Sequence, residues 1–581
     1  MSYQKRSILE MSHEEARNFL LKSESYFTLN LPSYFNIDSI LNQAIDKMED
    51  KILSNKNNSD TEINIVKNQV KYSDYPNINF CMQLNKTSNS YRPITLIHPY
   101  LYVDLVNAIT KSDSWRNLVT RFNELRSKVK NQIECFSIPF EVESQLATDY
   151  KKELALHFWK KIEQESIRFS VEYSYMLKLD ISNFYGSIYT HSLHWAIIGE
   201  ENAKEEHNSF GSGIDKRFQW MNYRETVGIP QGNVVSDFFA ELLLAYLAYI
   251  DVKLVNELEI SKISGYHILR YRDDYRIFTN SIDELHKIKK ILSVILQRYK
   301  LSLGDSKTKL SDNVVKDSIK EDKLYWLKHD PVVKLSGDKF YKKPEEFFSD
   351  FLSYVGFTKK KNLSKKRFKN YFDNRIYSAT VQKHLFIVKD FADRYPNSGQ
   401  LVKVLNEFKN RINSFEEDFI HNGTDIDTLI SILVDIILKN PKITSIGIQL
   451  LSILLSKFNI QDSTNIYKKF ETIKKIRKKL EKFGENEYLD IWLNRLIVQI
   501  IYKSKDNNLF EDYLSSNNNK LVNIANDIVT TKEISEGIFE EEWLLDDFKI
   551  DCEDFIDISE IENLPDKISY NKMTLIDYSE M

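Results

Sequence analysis

The stretch that decides the fold is His267-Ile268-Leu269-Arg270-Tyr271-Arg272-Asp273-Asp274-Tyr275-Arg276-Ile277-Phe278. Aliphatic and aromatic residues flank two adjacent carboxylates, a pattern that predicts a hairpin over Leu269–Thr279 with the acids at its turn. Two like charges side by side repel, so the pair is costly unless a cation sits with it. Upstream, Leu177-Lys178-Leu179-Asp180-Ile181-Ser182-Asn183-Phe184-Tyr185 places a third carboxylate in a short buried-type strand, Lys178–Ile181. Between them lies Gly228-Ile229-Pro230-Gln231-Gly232-Asn233. It leads into a strong helix over Ser236–Glu257, with Ser236 or Asp237 in the N-cap region. An amphipathic helix follows over Ser281–Tyr299.

If the strands carrying these acids pair, three carboxylates converge on one sheet edge. Mg²⁺ takes hard oxygen ligands, keeps much of its water, and needs only one or two carboxylates besides substrate phosphates. Two such ions serve an in-line displacement at phosphorus by stabilising the attacking and the leaving oxygen. Asp180 and Asp273 are expected as the principal ligands of both ions. Asp274 is the weaker ligand on this reading, because alternating side-chain direction can turn it partly aside. A single Asp in a turn is ordinarily just solvated. Three segments in order, each suited to a separate task of nucleotide addition, carry the assignment.

The order Asp180-x-x-x-Phe184-Tyr185, Gly228-x-Pro230-Gln231-Gly232, Tyr271-Arg272-Asp273-Asp274 resembles reverse transcriptases of the group II intron and retron lineage. Their tetrad more often has a small second residue, and Arg272 departs from that. More narrowly, Phe184-Tyr185-Gly186-Ser187-Ile188-Tyr189-Thr190-His191-Ser192-Leu193-His194-Trp195 is similar to bacterial abortive-infection enzymes of the AbiK type and related defence-associated reverse transcriptases. The run Phe19-Leu20-Leu21-Lys22-Ser23-Glu24-Ser25-Tyr26, leading to Leu31-Pro32-Ser33-Tyr34-Phe35, is similar to that group too. The resemblance covers roughly residues 15–310 and is only architectural beyond 340.

The resemblance implies an α+β fold with right-hand polymerase fingers and palm, followed by a large all-α C-terminal domain, whose apolar helices read equally as a repeat-like stack or as an irregular helical domain. The expected divisions are a helical N-terminal extension over 1–75, fingers over 76–175, the palm over 176–340, a helical domain over 341–530 and an acidic segment over 531–581. Tyr185 falls where the family places an aromatic steric gate, which excludes the ribose 2′-hydroxyl that marks RNA precursors. Gln231 and Gly232 match the turn near incoming nucleotide and template. Lys307 matches a lysine near the pyrophosphate, a general acid, and Arg92 the fingers arginine that meets the triphosphate. Leu352–Phe357 is the weakest placement, as primer grip. The implied activity is DNA synthesis in antiphage defence with two Mg²⁺ ions, Mn²⁺ serving as substitute. It is implied to be untemplated and protein-primed, with DNA attached through a Tyr or other hydroxyl. Two alternatives stay open: a templated reverse transcriptase with a dedicated non-coding RNA, and a non-catalytic palm scaffold binding RNA or a partner protein. Family relatives often assemble as homo-oligomers.

Composition bounds the rest. With 581 residues the chain is long enough for three or four domains. Only 15 Gly and 11 Pro argue against long linkers and a turn-rich all-β architecture. A net charge of −4 hides opposite poles. Lys359–Lys369 and Lys468–Lys482 are basic, and the bland reading of both as solvated faces competes with one in which they track phosphates. Glu533–Asp566 is acidic but keeps Trp543, Leu544, Leu545 and Phe548, so it is expected either to dock in a basic groove or to solvate a terminus. Cys81, Cys135 and Cys552 have no metal-ligand spacing and read as thiols of a reducing compartment. The N-terminus lacks the apolar run of a secretory signal, and Phe238–Val252 is too short to span a bilayer and carries Glu241 and Asp251. A cytoplasmic location without membrane contact is expected. Beyond 340, Thr428–Lys439, Ile443–Lys457 and Tyr488–Tyr502 read as apolar helices, the first two separated by Asn440-Pro441.

Overall fold

A computed structural model describes residues 4–53, 62–67, 71–87, 90–129, 132–143, 161–257, 263, 265–304, 308–325, 380–413, 426–456, 463–482, 486–504, 519–531 and 533–565. The fold is α+β with a helical C-terminal region. The chain divides into two compact units. One comprises Met1–Gln83, Pro93–Ser318 and Ile501–Glu562; the other comprises Leu84–Arg92, Ile319–Ile500 and Asn563–Met581.

The first unit is organised on a five-stranded sheet. In chain order its strands are β1 (Ile133–Cys135), β2 (Tyr175–Asp180), β3 (His267–Tyr271), β4 (Asp274–Thr279) and β5 (Lys309–Ser311). Their spatial order is β5-β2-β4-β3-β1, with only the β1–β3 pair parallel. The predicted hairpin is therefore real, and β2 lies directly beside it. Residues opposite one another in an antiparallel pair share a face. One face carries Met176, Leu269, Tyr271 and Phe278, which pack with Phe136, Ile162, Tyr173 and Val314 into an apolar core. Helix α1 (Val234–Glu257) starts after the Gly228–Gly232 turn, and helix α2 (Ile282–Arg298), capped by Ser281, packs on β2 and β4.

A strand over Phe80–Thr87 pairs with Ser90–Leu96, and one sequence-based boundary shifts. Asn79 locks a loop rather than extending the strand: its Oδ1 accepts from the His98 backbone N–H (2.8 Å) and its Nδ2 donates to the Met221 carbonyl (2.7 Å). Helix α1 begins at Val234, and its cap is Asn233, whose Oδ1 accepts from the Ser236 N–H at 2.8 Å. Neither Ser236 nor Asp237 is needed as a cap, which leaves the Asp237 carboxylate available for the site.

The acidic segment docks within the first unit rather than solvating a terminus. Trp543, Leu544, Phe555 and Ile561 are fully buried. Backbone bridges join Phe35 to Ile556 and Val66 to Leu544. The His98 ring lies 4.8 Å from Phe539 and 5.1 Å from Trp543, and its Nε2 is 3.3 Å from the Glu541 carboxylate.

In the second unit, helices Thr380–Arg394, Gly399–Asn413, Ile426–Lys439 and Thr444–Ser456 pack on one another. The two expected over 428–457 are thus present, joined by a 3-10 turn at Pro441–Ile443. The helix expected over Tyr488–Tyr502 is broken into Glu487–Asn494 and Val498–Ser504. The Leu496 N–H bonds the Leu493 carbonyl and the Ile497 N–H the Asn494 carbonyl, both at 3.0 Å. Consecutive residues of a straight helix fan out by about 100° each. Leu496, Ile497 and Val498 at this break are all buried. The basic stretch Lys468–Lys482 lies on helix Ser463–Lys482, where Lys468 pairs with Asp427 (3.0 Å) and the buried Arg477 with Asp490 (3.0 Å). Lys359–Lys369 and Leu352–Phe357 lie outside the described residues. Among the described residues no helix is long and apolar enough to cross a membrane.

Candidate functional site

The register of β2 and β4 brings the acids together. Asp274 is the direct cross-strand partner of Asp180, and the Ile181 N–H donates to the Asp273 carbonyl at 3.1 Å. Directly paired antiparallel residues have Cα atoms about 4.5–5.5 Å apart. Pairing also sets Asp274 on the same face as Asp180, so alternation does not turn it aside. Asp273 occupies the two-residue turn with Arg272, which takes the left-handed conformation at φ +49°. Asp180 is 7 % exposed, at the floor of the arrangement. Its carbonyl accepts from the Gly304 N–H at 2.7 Å, and a Cβ on Gly304 would come 3.5 Å from the Asp180 carboxylate.

Beside the carboxylates stands Tyr185, in a short helix over Phe184–Ser187. Its carbonyl accepts from the Ile229 N–H (3.0 Å), and the Ile188 carbonyl accepts from the Gly228 N–H (2.8 Å). The segments around Asp180 and Gly232 are thereby tied to each other by backbone. Gly232 has φ +117°, and a Cβ there would fall 2.9 Å from Ile94 Cγ2, so only glycine suits the position. The Gln231 carbonyl accepts from the Thr95 N–H and the Gly232 carbonyl from the Thr28 N–H, both at 2.8 Å. Arg92 is half-buried on strand Ser90–Leu96 and belongs to the second unit. Lys307 lies outside the described residues.

Sequence reasoning missed the charged layer under the turn. Arg270 points to the sheet face opposite that of Asp180 and Asp274. There its Nη2 donates to Glu241 of α1 at 2.9 Å. Glu241 also accepts from the Ser137 hydroxyl (2.6 Å) and the Cys135 thiol (3.1 Å). Arg272 Nη2 donates to Asp237 Oδ2 at 2.8 Å, and the Tyr185 hydroxyl donates to Asp237 Oδ1 at 2.5 Å. Burial alone would raise the Glu241 carboxyl, but Arg270, Ser137 and Cys135 together hold it below its ordinary range. Burial opposes the Arg272 charge, which the Asp237 carboxylate more than restores. Burial, reinforced by Asp237, keeps the Tyr185 phenol protonated far above its usual range despite Arg272. Burial also pushes the Cys135 thiol up to about 11, so it is an inert partner. The missed signal was present: Asp237 and Glu241 are four apart on an apolar helix, and Arg270 and Arg272 two apart where a buried strand runs into its turn.

Among the described residues, no group of three His, Cys, Asp or Glu side chains forms a ready-made metal cage. The donor set nevertheless fits Mg²⁺. Asp180, Asp273 and Asp274 offer hard oxygens, and this ion relies on few carboxylates, completing its shell with water and phosphate.

Paired carboxylates on adjacent palm strands beside an aromatic residue and a glycine turn define the class of palm-fold nucleotidyl polymerases. Residues 84–327 match the family described as reverse transcriptase (RNA-dependent DNA polymerase). A comparison with curated protein sequences returns no match. Among solved structures, the chain is similar to telomerase from Candida albicans in complex with the TWJ fragment of telomeric RNA. That match has 12% identity and a TM-score of 0.27, covering 71% of this chain and 65% of that one. It is also similar to apo telomerase from Candida tropicalis, at 13% identity and a TM-score of 0.29, covering 78% of this chain and 72% of that one. The chain thus spans 65% of the length of the Candida albicans protein.

Proposed function

We propose that the chain is a DNA polymerase of reverse-transcriptase type that adds dNTPs to a hydroxyl primer, acts in the bacterial cytoplasm and serves antiphage defence. The observation that carries the polymerase reading is the register that sets Asp274 opposite Asp180 with Asp273 at the adjoining turn. Asp180, Asp273 and Asp274 would hold two Mg²⁺ ions, which supply charge stabilisation to the attacking and leaving oxygens. Tyr185 closes the sugar side of the site against a 2′-hydroxyl. Gly232 keeps the backbone of the Gly228–Gly232 turn low enough for close approach of nucleotide and template, and Gln231 borders that surface. Lys307 as proton donor to pyrophosphate and Arg92 as triphosphate ligand rest on the family resemblance.

The defence role rests on the similarity of Phe184–Trp195 and of Phe19–Phe35 to abortive-infection enzymes. The same resemblance supports untemplated synthesis that begins on a protein hydroxyl, in a homo-oligomer. The test is incubation of the purified protein with Mg²⁺ and each labelled dNTP, singly and together, with products resolved before and after protease digestion. The expected result is incorporation into a product whose mobility changes on proteolysis. Template-dependent extension of an annealed oligonucleotide, with no protein-linked product, overturns the priming mode. A defined RNA co-purifying with that activity identifies the templated alternative, and absence of any incorporation overturns the polymerase reading itself.

A further inference from the structure

Arg272 replaces the small residue that the resembled tetrads favour, and its surroundings show what a large cation does there. Its peptide is held on both sides: the N–H donates to Ser137 Oγ at 2.7 Å and the carbonyl accepts from Arg270 Nη1 at 3.1 Å. Ser137 and Arg270 are in turn both held by Glu241. The guanidinium is spent on Asp237, with 15 % and 14 % of the two side chains exposed. The second oxygen of the same carboxylate takes the Tyr185 hydroxyl. One Asp thus joins the turn that bears Asp273 to the ring beside the nucleotide sugar.

A gate discriminates only if it does not swing aside. An apolar pocket rejects an added hydroxyl weakly, by about a hundredfold. Tyr185 has its backbone fixed by Ile229, its ring edge-on to Phe184 at 5.4 Å, and its hydroxyl anchored at the far end. We propose that Asp237, oriented by Arg272, is a positioning residue for sugar selection, anchoring the Tyr185 ring in the place where it collides with a ribose 2′-hydroxyl. Asp237 touches neither metal nor nucleotide in this account. It acts through Tyr185, and Arg272 acts through Asp237. The arrangement also explains why Arg272 does not serve as a triphosphate ligand: its charge is already paired in a buried layer. The inference rests on the polymerase reading for its sugar-bearing substrate.

The experiment uses the full chain with Mg²⁺. It measures the ratio of kcat/KM for dATP and ATP, and the Kd of each nucleotide, in wild type, Tyr185→Phe, Asp237→Asn and Arg272→Lys. Loss of a supporting hydrogen bond costs about 10–100-fold in the function it orients. The preference for dATP is expected to fall about tenfold in both Tyr185→Phe and Asp237→Asn, with the double variant no worse than either single one, because both cut the same link. Arg272→Lys, which keeps the charge but not the fork, is expected to retain part of the preference. A merely structural role lowers both sugars equally and leaves the ratio unchanged, and that result overturns the proposal. Tyr185→Phe is nearly isosteric, so the test stands even if a charge-altering variant fails to fold. If the wild type incorporates no nucleotide, the polymerase reading fails, and the Kd ratio decides the positioning claim separately. A dATP preference in wild type that falls about tenfold in the variants upholds it; equal ratios in all proteins overturn it.

Discussion

Between the palm sheet and helix α1 lie Arg270 with Glu241 and Arg272 with Asp237, none with more than 15 % of its side chain exposed. Helices Ile426–Lys439 and Thr444–Ser456 of the second unit bury Ile430, Leu433, Ile437, Ile446, Leu450 and Leu454 instead. Their charges stay further out: Lys389 is 2.9 Å from Asp435 with 23 % and 28 % exposed, and Lys439 is 2.9 Å from the same Asp435. Buried ion pairs are weak contributors to stability, because desolvation offsets their attraction, whereas apolar packing contributes directly. The palm accepts that cost where carboxylates and a phenol must be held in one place. The helical unit also holds a buried pair, Arg477 with Asp490, but helices Ile426–Lys439 and Thr444–Ser456 meet through aliphatic side chains.

The contrast predicts different penalties for single changes. In the palm, Glu241→Ala leaves the buried Arg270 without its carboxylate and Ser137 without its acceptor. Removing one member of a buried pair costs about 3–5 kcal/mol. Urea denaturation should show that loss, together with a fall in nucleotide incorporation, because Arg270 and Ser137 both hold the Arg272 peptide. In the helical unit, Gly447→Ala tests close packing. A Cβ there would stand 2.5 Å from Ile437 Cγ1, and Ile437 is 2 % exposed. Overpacking costs about 1–3 kcal/mol and the helix-propensity gain of Ala over Gly returns at most ~1. Gly447→Ala should therefore destabilise by on the order of 1 kcal/mol and leave the dATP-to-ATP preference alone. A stabilised variant would show that the two helices are not in close contact.

The docked acidic segment supplies the smallest effect, visible through pH. Burial lowers the His98 pKa, only partly offset by Glu541. A histidine whose folded pKa is depressed prefers to fold neutral, so the unfolded chain binds more protons once the pH drops below the unfolded value near 6.5. The associated stability is complete above that value and is lost as pH falls from it toward the folded pKa. Thermal unfolding between pH 7 and pH 5 should shift downward in wild type. The slope should be shallower in His98→Gln, although His194 and His267, also lowered by burial, keep part of it. An identical slope in both proteins would remove His98 as a contributor.

Local pattern carried much of this architecture into view. The alternation around Asp273 and Asp274, the apolar run of α1 and the Asn440-Pro441 break each follow from chemistry within a few residues, and each is present in the fold. What stayed hidden depends on distance in sequence. Asp237 in the first turn of a helix is indistinguishable from a capping acid until Asn233 is seen to do the capping. Its partners are Arg272, 35 residues away, and Tyr185, 52 residues away. The pairing of Asp274 with Asp180 was hidden for a related reason: alternation within one strand says nothing about which residue the neighbouring strand sets opposite.

The most direct measurement is single-turnover incorporation of labelled dNTP with Mg²⁺ by wild type, Asp180→Asn, Asp274→Asn and the double variant, each checked for an unchanged melting temperature. If the two acids belong to one site, each single change lowers the rate at least ~10³-fold and the double change adds little, since residues that act as a unit are strongly non-additive. Incorporation at the wild-type rate in either single variant, or penalties that simply multiply in the double one, would contradict a shared site at the β2–β4 pairing.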